Sequence, residues 1–422
     1  MKRFWAAVLG GGLLAAPAGA VTPDPKDLAV PPADVSKARL LVRKLGDGAF
    51  GERERAHDEL AKMGRLAKPA LVEALAADPH PEIRTRSARL LPRAEAADLQ
   101  ARIDTFLADA DAKYTHDLPA WELYRKVVGA DKAARDLYVE MLKNRSNLAL
   151  LANLGAAPEE CGRAVADRRL ELFLQMNPHA FGNRFGGLPP TAAPKQPALA
   201  DLAALFFAET VVPAKDIPRA GPFFITGANF IQQQSATAAV NNPAGTPHAG
   251  PFLLVLGKWL DSRTTPEDLN NIIHVAQTLR DKVKETGPLL RRVVTTAGVQ
   301  GWAKGQALQF LVQKDAKAEQ PFLKALLKDD TVVTQVWNVG GLMNQGTPVQ
   351  LRDVALAMLL SHNGQDLKAY GYEFPAGVVM NGQVMGFGTY AFTSDEKRDA
   401  AVKKWAEWEA ARDAAKKDEP KK

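Results

Sequence analysis

Two distant stretches of this chain repeat one spacing of alanine, leucine, proline and aspartate, and that repetition constrains the fold more than any other feature. In the first, Ala56 and Leu60 stand four apart. Pro69, Leu71 and Leu75 follow at offsets of two and six from the proline, and Asp78 lies nine beyond it. In the second, Ala307 and Leu311 stand four apart, Pro321, Leu323 and Leu327 take the same offsets, and Asp330 lies nine beyond Pro321. The gap from leucine to proline is nine residues in one stretch and ten in the other. Arg55 and Leu60 also recur 31 residues later as Arg86 and Leu91. Spacings of three and four are the period of an α-helix. A helix pair with small residues at its crossing and leucines on a shared face cannot bury that face alone, so neighbouring pairs must stack.

The punctuation around the first stretch agrees. Ala38, Leu41, Val42 and Leu45 follow helical spacing from Ser36 onward, and Gly46-Asp47-Gly48 ends that helix. A second helix is expected from about Glu52 to Met63, stopped by Gly64. A third begins near Pro69, a residue suited to a first helical turn, and ends before Asp78-Pro79. A fourth begins near Pro81 and carries Ile83, Ser87, Leu90 and Leu91. Helices of about ten residues joined by very short turns pack antiparallel against their sequence neighbours.

These residues carry a resemblance. ERERAHDELAKMGRLAKPALVEALAADPHPEIRTRSARLL resembles the HEAT-like repeats related to those of the phycobilisome lyase group. KGQALQFLVQKDAKAEQPFLKALLKDD and VQLRDVALAMLLSHNGQD resemble further units. WELYRKVVGADKAARDLYVEML and DEKRDAAVKKWAEWEA resemble segments of exported bacterial HEAT-like proteins of uncharacterised function. The resemblance covers about 36–175 and 251–366. It implies an all-α chain, an α-solenoid of antiparallel HEAT-like helix pairs interrupted by a long Gly/Pro-rich loop region. It implies little about activity, because this repeat serves many functions.

The pattern divides the chain into seven segments: a signal peptide over 1–20, a Pro-rich linker over 21–35, an N-terminal HEAT-like region over 36–175, a loop-rich insertion over 176–250, a C-terminal HEAT-like region over 251–366, a Gly/aromatic loop or hairpin over 367–393, and a terminal helix with a Lys-rich tail over 394–422. The insertion concentrates Gly, Pro, Asn and Gln around one plausible helix at 199–211, and Phe181, Phe185, Phe223, Phe224 and Phe230 suit packing onto the helices. At the start of the last helix, Thr393 and Glu396 have the spacing of a capping box.

The N-terminus has the three parts of an export signal. Lys2 and Arg3 are positive, Phe4 to Ala16 is apolar but too short to span a bilayer comfortably, and Ala18-Gly19-Ala20 offers small residues for cleavage before Val21. An uncleaved anchor is the alternative. Cleavage removes two positive charges and takes the formal charge from +6 to +4, a mild excess that argues for neither nucleic acid nor an anionic membrane surface. The mature chain is expected to be periplasmic or secreted, without stable membrane insertion. Cys161 is the single cysteine, so no intramolecular disulfide and no multi-cysteine metal site can form.

The motifs that suggest chemistry have plainer explanations. Gly46-Asp47-Gly48-Ala49-Phe50-Gly51 matches a dinucleotide fingerprint literally, but that site needs a preceding strand and here the preceding period is helical. Ser394 and Lys397 match the S-x-x-K spacing of penicillin-recognising enzymes without its companion elements. His57, His80, His116, His179, His248, His274 and His362 show no close ligand spacing, and His116-Asp117 is only a backbone neighbour pair. Arg84, Arg86, Arg89 and Arg93 read as a solvated basic face, and Trp405 and Trp408 with Val402 as the packing face of the last helix. No catalytic, cofactor-binding or metal-binding residue is assigned, and no cofactor is expected.

The function expected is therefore a scaffold without catalytic activity that binds a protein partner in the cell envelope. The alternative is an enzyme or lyase-like small-molecule binder in which the 176–250 loop covers a site lined by Arg184, His179 and His248. A purely structural envelope protein, abundant and self-associating, is a third reading.

Overall fold

The computed structural model of the chain describes residues 23–178, 193–218, 225–279, 282–337, 346–374, 379–380, 383–384 and 386–418. The signal peptide expected over 1–20, together with His179, Phe181, Arg184, Phe185, Phe223 and Phe224, lies outside them. The chain is mostly helical and divides between Trp121 and Glu122 into two compact units.

The first unit is built from α1 (Pro32–Lys44), α2 (Phe50–Met63), α3 (Lys68–Ala77) and α4 (Pro81–Ala108). The predicted stripes meet in one core: Ala38, Leu41, Val42 and Leu45 from α1 and its end, Ala56 and Leu60 from α2, Leu71 and Ala74 from α3, and Ile83, Leu90 and Ala94 from α4. The helix ends obey local chemistry. Gly64 takes a positive φ of 55° after α2, and Pro69 and Pro81 sit in the first turns of α3 and α4. Two features depart from expectation. α1 starts at Pro32, four residues before Ser36, and the linker before it contains a tight 3-10 turn, Pro25–Leu28, capped by Asp24 and tied down by Arg65, which donates to the Leu28 carbonyl at 2.7 Å. α4 runs for 28 residues, straight past Pro92, far longer than the ten-residue helices predicted.

The second unit holds α5 (Trp121–Val128, apart from its first residue), α6 (Lys132–Leu142), α7 (Arg145–Asn153), α8 (Pro158–Met176), α9 (Leu199–Val211), α10 (Ala228–Ile231), α11 (Gln234–Asn241), α12 (Ala249–Asp261), α13 (Pro266–Leu279), α14 (Thr286–Thr295) and α15 (Gly301–Ala325). The strands β1 (Val332–Trp337) and β2 (Gly346–Gln350), helix α16 (Leu351–His362), the two-residue strands β3 (Val379–Met380) and β4 (Gln383–Val384), and α17 (Asp395–Asp418) complete it.

Its centre is α9. Residues 201–209 of that helix are all buried, and α6, α7, α8, α11 and α12 pack around it. Phe206 meets Trp259 of α12 at 5.0 Å between ring centroids, and Phe207 meets Tyr124 of α5 at 5.3 Å. Between Asp201 and Glu209 the stretch LAALFFA is apolar all the way round, the signature of a helix with no solvent face. The one helix predicted within 176–250 is thus an enclosed element of the unit, and α10 and α11 with buried Phe230 extend the same packing.

The second copy of the repeated spacing lies on α15, which bends at Asp315, where φ is −156° and ψ is 84°. Asp315 caps the second half of the element by accepting the Ala318 amide at 2.9 Å, so α15 is a pair of helices in sequence. Ala307, Leu311 and Leu323 are buried as the pattern requires. The prolines differ: Pro69 opens α3, whereas Pro321 lies inside the second half of α15.

Two small ribbons interrupt the helices. β1 pairs antiparallel with β2, Val332 opposite Gln350 and Trp337 opposite Gly346, with a bulge between Val332 and Thr334. This ribbon was not expected, although Val332-Val-Thr-Gln-Val-Trp337 is a β-branched and aromatic run. β3 and β4 form the short hairpin that the segment 367–393 allowed. α17 is capped by Ser394, whose Oγ accepts the Lys397 amide at 3.4 Å, instead of by the predicted Thr393. Trp405 is buried and Trp408 half-buried, 4.9 Å apart. Among the described residues no helix is long and apolar enough to cross a membrane.

Candidate functional site

The residues weighed in the sequence fall in separate places. His80 precedes α4, His248 stands in a left-handed conformation (φ 61°) before α12, and His362 ends α16. Among the described residues no three His, Cys, Asp or Glu side chains are grouped to hold a metal ion. Cys161 is buried in the first turn of α8, its thiol donating to the Asn153 carbonyl at 3.0 Å. The Gly46–Gly51 segment joins two helices, and its Asp47 and Gly48 carbonyls accept from the Arg53 guanidinium at 2.7 and 3.1 Å. Lys397 points its ammonium at Glu373 and Thr393 and not at the Ser394 hydroxyl. Of the four arginines on α4, Arg86 bridges Glu82 and, across to α2, Glu54 at 2.6 and 2.7 Å.

One histidine has an oriented partner. His116 Nε2 lies 3.0 Å from Asp109 Oδ2, seven residues earlier, and not beside Asp117. Asp109 also accepts the amides of Lys113 and Tyr114, each at 2.9 Å. Burial alone would raise the Asp109 carboxyl, but these three donors outweigh it and hold it below its ordinary value of 3.8. The His116 ring meets Phe106 edge-on at 5.2 Å, and Phe106 meets Trp121 at 4.6 Å. His116 borders a cleft of about 260 Å³ together with Lys26, Arg102 and Asp117. An oriented imidazole beside a cleft could serve as a base. These contacts of Asp109, however, close the loop after α4 on itself, which is the behaviour of a latch.

Three exposed apolar residues at the start of α15 and on β1 were missed by sequence reading. Trp302, Val332 and Trp337 are 40%, 47% and 57% exposed. Gly301 brings the first two together: a Cβ at that position would stand 2.0 Å from the Val332 carbonyl oxygen, so only glycine lets the start of α15 lie against β1. The Trp302 ring rests on His274 of α13, 5.3 Å between centroids and tilted by 33°. Trp337 lies five residues further along β1, about 16 Å at the rise of a strand, where its cross-strand partner Gly346 leaves room beside the indole. Exposed tryptophans in a sequence carry no mark that separates them from buried ones. The signal that could have found Trp337 was the β1 run, whose ribbon turns residues outward, whereas Trp302 on α15 carried none.

Compared with family models, with curated proteins and with solved structures, the chain matches none.

Proposed function

We propose that this protein is an exported, non-catalytic scaffold of stacked, HEAT-like helix pairs that holds a protein partner in the cell envelope. The observation that carries the reading is the exposure of the large apolar side chains of Trp302, Val332 and Trp337. Tryptophan is over-represented among the residues that dominate protein–protein binding energy, because one side chain removes a large apolar area from water and still offers an N–H donor. A free protein gains nothing by holding two such rings in solvent. The export signal read from residues 1–20 and the repeated helix-pair spacing support the compartment and the architecture.

The test is crosslinking and capture of the protein lacking residues 1–20 in its native envelope, beside a Trp302→Ala/Trp337→Ala variant of equal thermal stability. A reproducible partner that is lost with the two indoles is the expected result. A partner retained by the variant would move the surface elsewhere, and no specific partner for either protein would overturn the scaffold reading.

A further inference from the structure

The face that α17 turns toward the 3-10 turn Leu367–Tyr370 is built from Lys397, Ala400, Ala401 and Lys404. These positions are spaced i, i+3, i+4 and i+7, a single stripe of the helix. Lys397, Ala400 and Lys404 are exposed and only Ala401 is buried, so the stripe borders solvent beside the inward face of Arg398, Ala401 and Trp405. Its middle is two alanines, and a cleft of about 460 Å³ lies open above them, a size suited to a small organic molecule.

The charged groups around that cleft are held in position. Lys404 donates to the Ala369 carbonyl at 2.7 Å and lies 4.7 Å above the Tyr370 ring. Lys397 bonds Glu373 and, at 2.9 Å, the Thr393 hydroxyl. Lys368 enters from the opposite wall. Three ammonium groups against the single Glu373 carboxylate leave a net charge of +2 on the lining. The two tyrosines present their rings to the cleft while their hydroxyls are engaged elsewhere, Tyr370 with Gln365 at 3.3 Å and Tyr372 with the Asp353 carbonyl at 2.6 Å. The net positive charge therefore comes from Lys368 and Lys404, while at the other end the Lys397 ammonium is shared with Glu373, beside a trough whose floor is methyl groups.

We propose that this cleft binds an elongated organic dianion, its two acidic groups spanning from Lys397 to Lys404 and its apolar body lying over Ala400 and Ala401. Seven residues of helix separate the Cα atoms of the two lysines by about 10 Å, the scale of a ligand that would bridge them. The charges select anions, and the small floor selects a slender aliphatic or flat chain over a bulky one.

The experiment is titration calorimetry of the whole protein at low ionic strength with the straight-chain dicarboxylates from succinate to sebacate. Affinity should rise to a maximum where the carboxylates reach about 10 Å apart and fall for shorter members. Lys397→Ala and Lys404→Ala should each weaken the best ligand about fivefold, the range of a partly exposed ion pair. Ala400→Phe, at an exposed position that leaves every lysine in place, should abolish binding by filling the trough. Lys403→Ala, one residue off the stripe and paired with Glu407, should change nothing. Circular dichroism and a thermal melt of each variant separate loss of the site from loss of the fold. Binding by none of the ligands, affinity independent of length, or equal weakening in Lys403→Ala would overturn the proposal.

Discussion

Glu209 Oε1 lies 2.6 Å from Arg169 Nε, an ion pair enclosed between α8 and the C-terminal end of α9. Glu209 is fully buried, and its other oxygen accepts the Trp259 indole N–H at 2.7 Å and faces Arg263 at 3.6 Å. Arg263 donates to the Glu209 backbone carbonyl at 2.6 Å and lies 5.2 Å from the Trp259 ring. Gly227 completes the enclosure, since a Cβ there would stand 2.6 Å from the carboxylate. At the other end of the same helix, Asp201 accepts from Asn144, Asn147 and Arg168 at 2.7, 3.0 and 2.8 Å. A helix without a solvent face is held in register by a satisfied carboxylate at each end.

Glu209→Gln keeps the shape but removes the charge that faces both buried guanidinium groups, Arg263 keeping only the longer contact with Asp268 at 3.8 Å. Breaking one side of such a pair costs about 3–5 kcal/mol. The expected outcome is a large drop in the urea midpoint, with little change for the exposed Glu159→Gln, whose partner Arg163 lies on the surface.

The same carboxylate predicts acid sensitivity. Burial alone would raise Glu209, but the charges and hydrogen bonds of Arg169, Arg263 and Trp259 outweigh it and hold it below 4.5. Asp98 behaves alike, burial being outweighed by Lys68 and Arg102, and it too is held below its usual 3.8. A group depressed in the fold contributes stability that is present above its unfolded value and lost as pH falls through its folded value. Stability should therefore decline as the pH drops below about 4.5. Asp353 has the opposite sign, because burial raises its carboxyl despite Arg398, so it partly offsets the decline. Denaturant midpoints from pH 7 to pH 3 check the direction, and the slope should be shallower in Glu209→Gln.

Asp109→Ala removes the acceptor of two amides and of His116 Nε2. A loss of about 1–3 kcal/mol is expected, the range for unsatisfied buried donors. Faster hydrogen exchange at the Lys113 and Tyr114 amides, with α1 to α3 unchanged, would identify a local latch. Undiminished protection at those amides would contradict it.

Gly301→Ala sets a methyl group against the Val332 carbonyl. Backbone must move to relieve it, at about 1–3 kcal/mol or more, and the Trp302 indole moves with it. The check is a lowered melting temperature together with a shifted tryptophan emission. Gly48→Ala, where nothing lies within 4 Å of the added atom, should leave both unchanged.

Much of the first unit was legible because its helices are short, amphipathic and punctuated. Leu41, Leu60, Leu71 and Leu90 are buried on the faces that a helical period puts together, and Gly64, Pro69 and Pro81 mark ends that depend only on neighbouring residues. The length of α4 was not legible, since Pro92 reads as a stop unless the surrounding packing holds the helix through it. The cap of α17 moved by one residue for a similar reason, because Lys397 draws Thr393 into its own side-chain contacts with Glu373.

The sequence by itself determined the helical character of the chain, its turns and most of its apolar faces, because period and punctuation act over a few residues. Only the tertiary structure decided that α9, set within the expected insertion, is the centre of the second unit, and that Glu209 meets Arg169 forty residues away. Tertiary packing also set Trp302 beside β1 and opened a cleft between Lys397 and Lys404. Those outcomes depend on which distant surfaces meet, and a buried ion pair or an exposed indole has the same local sequence signature as its opposite.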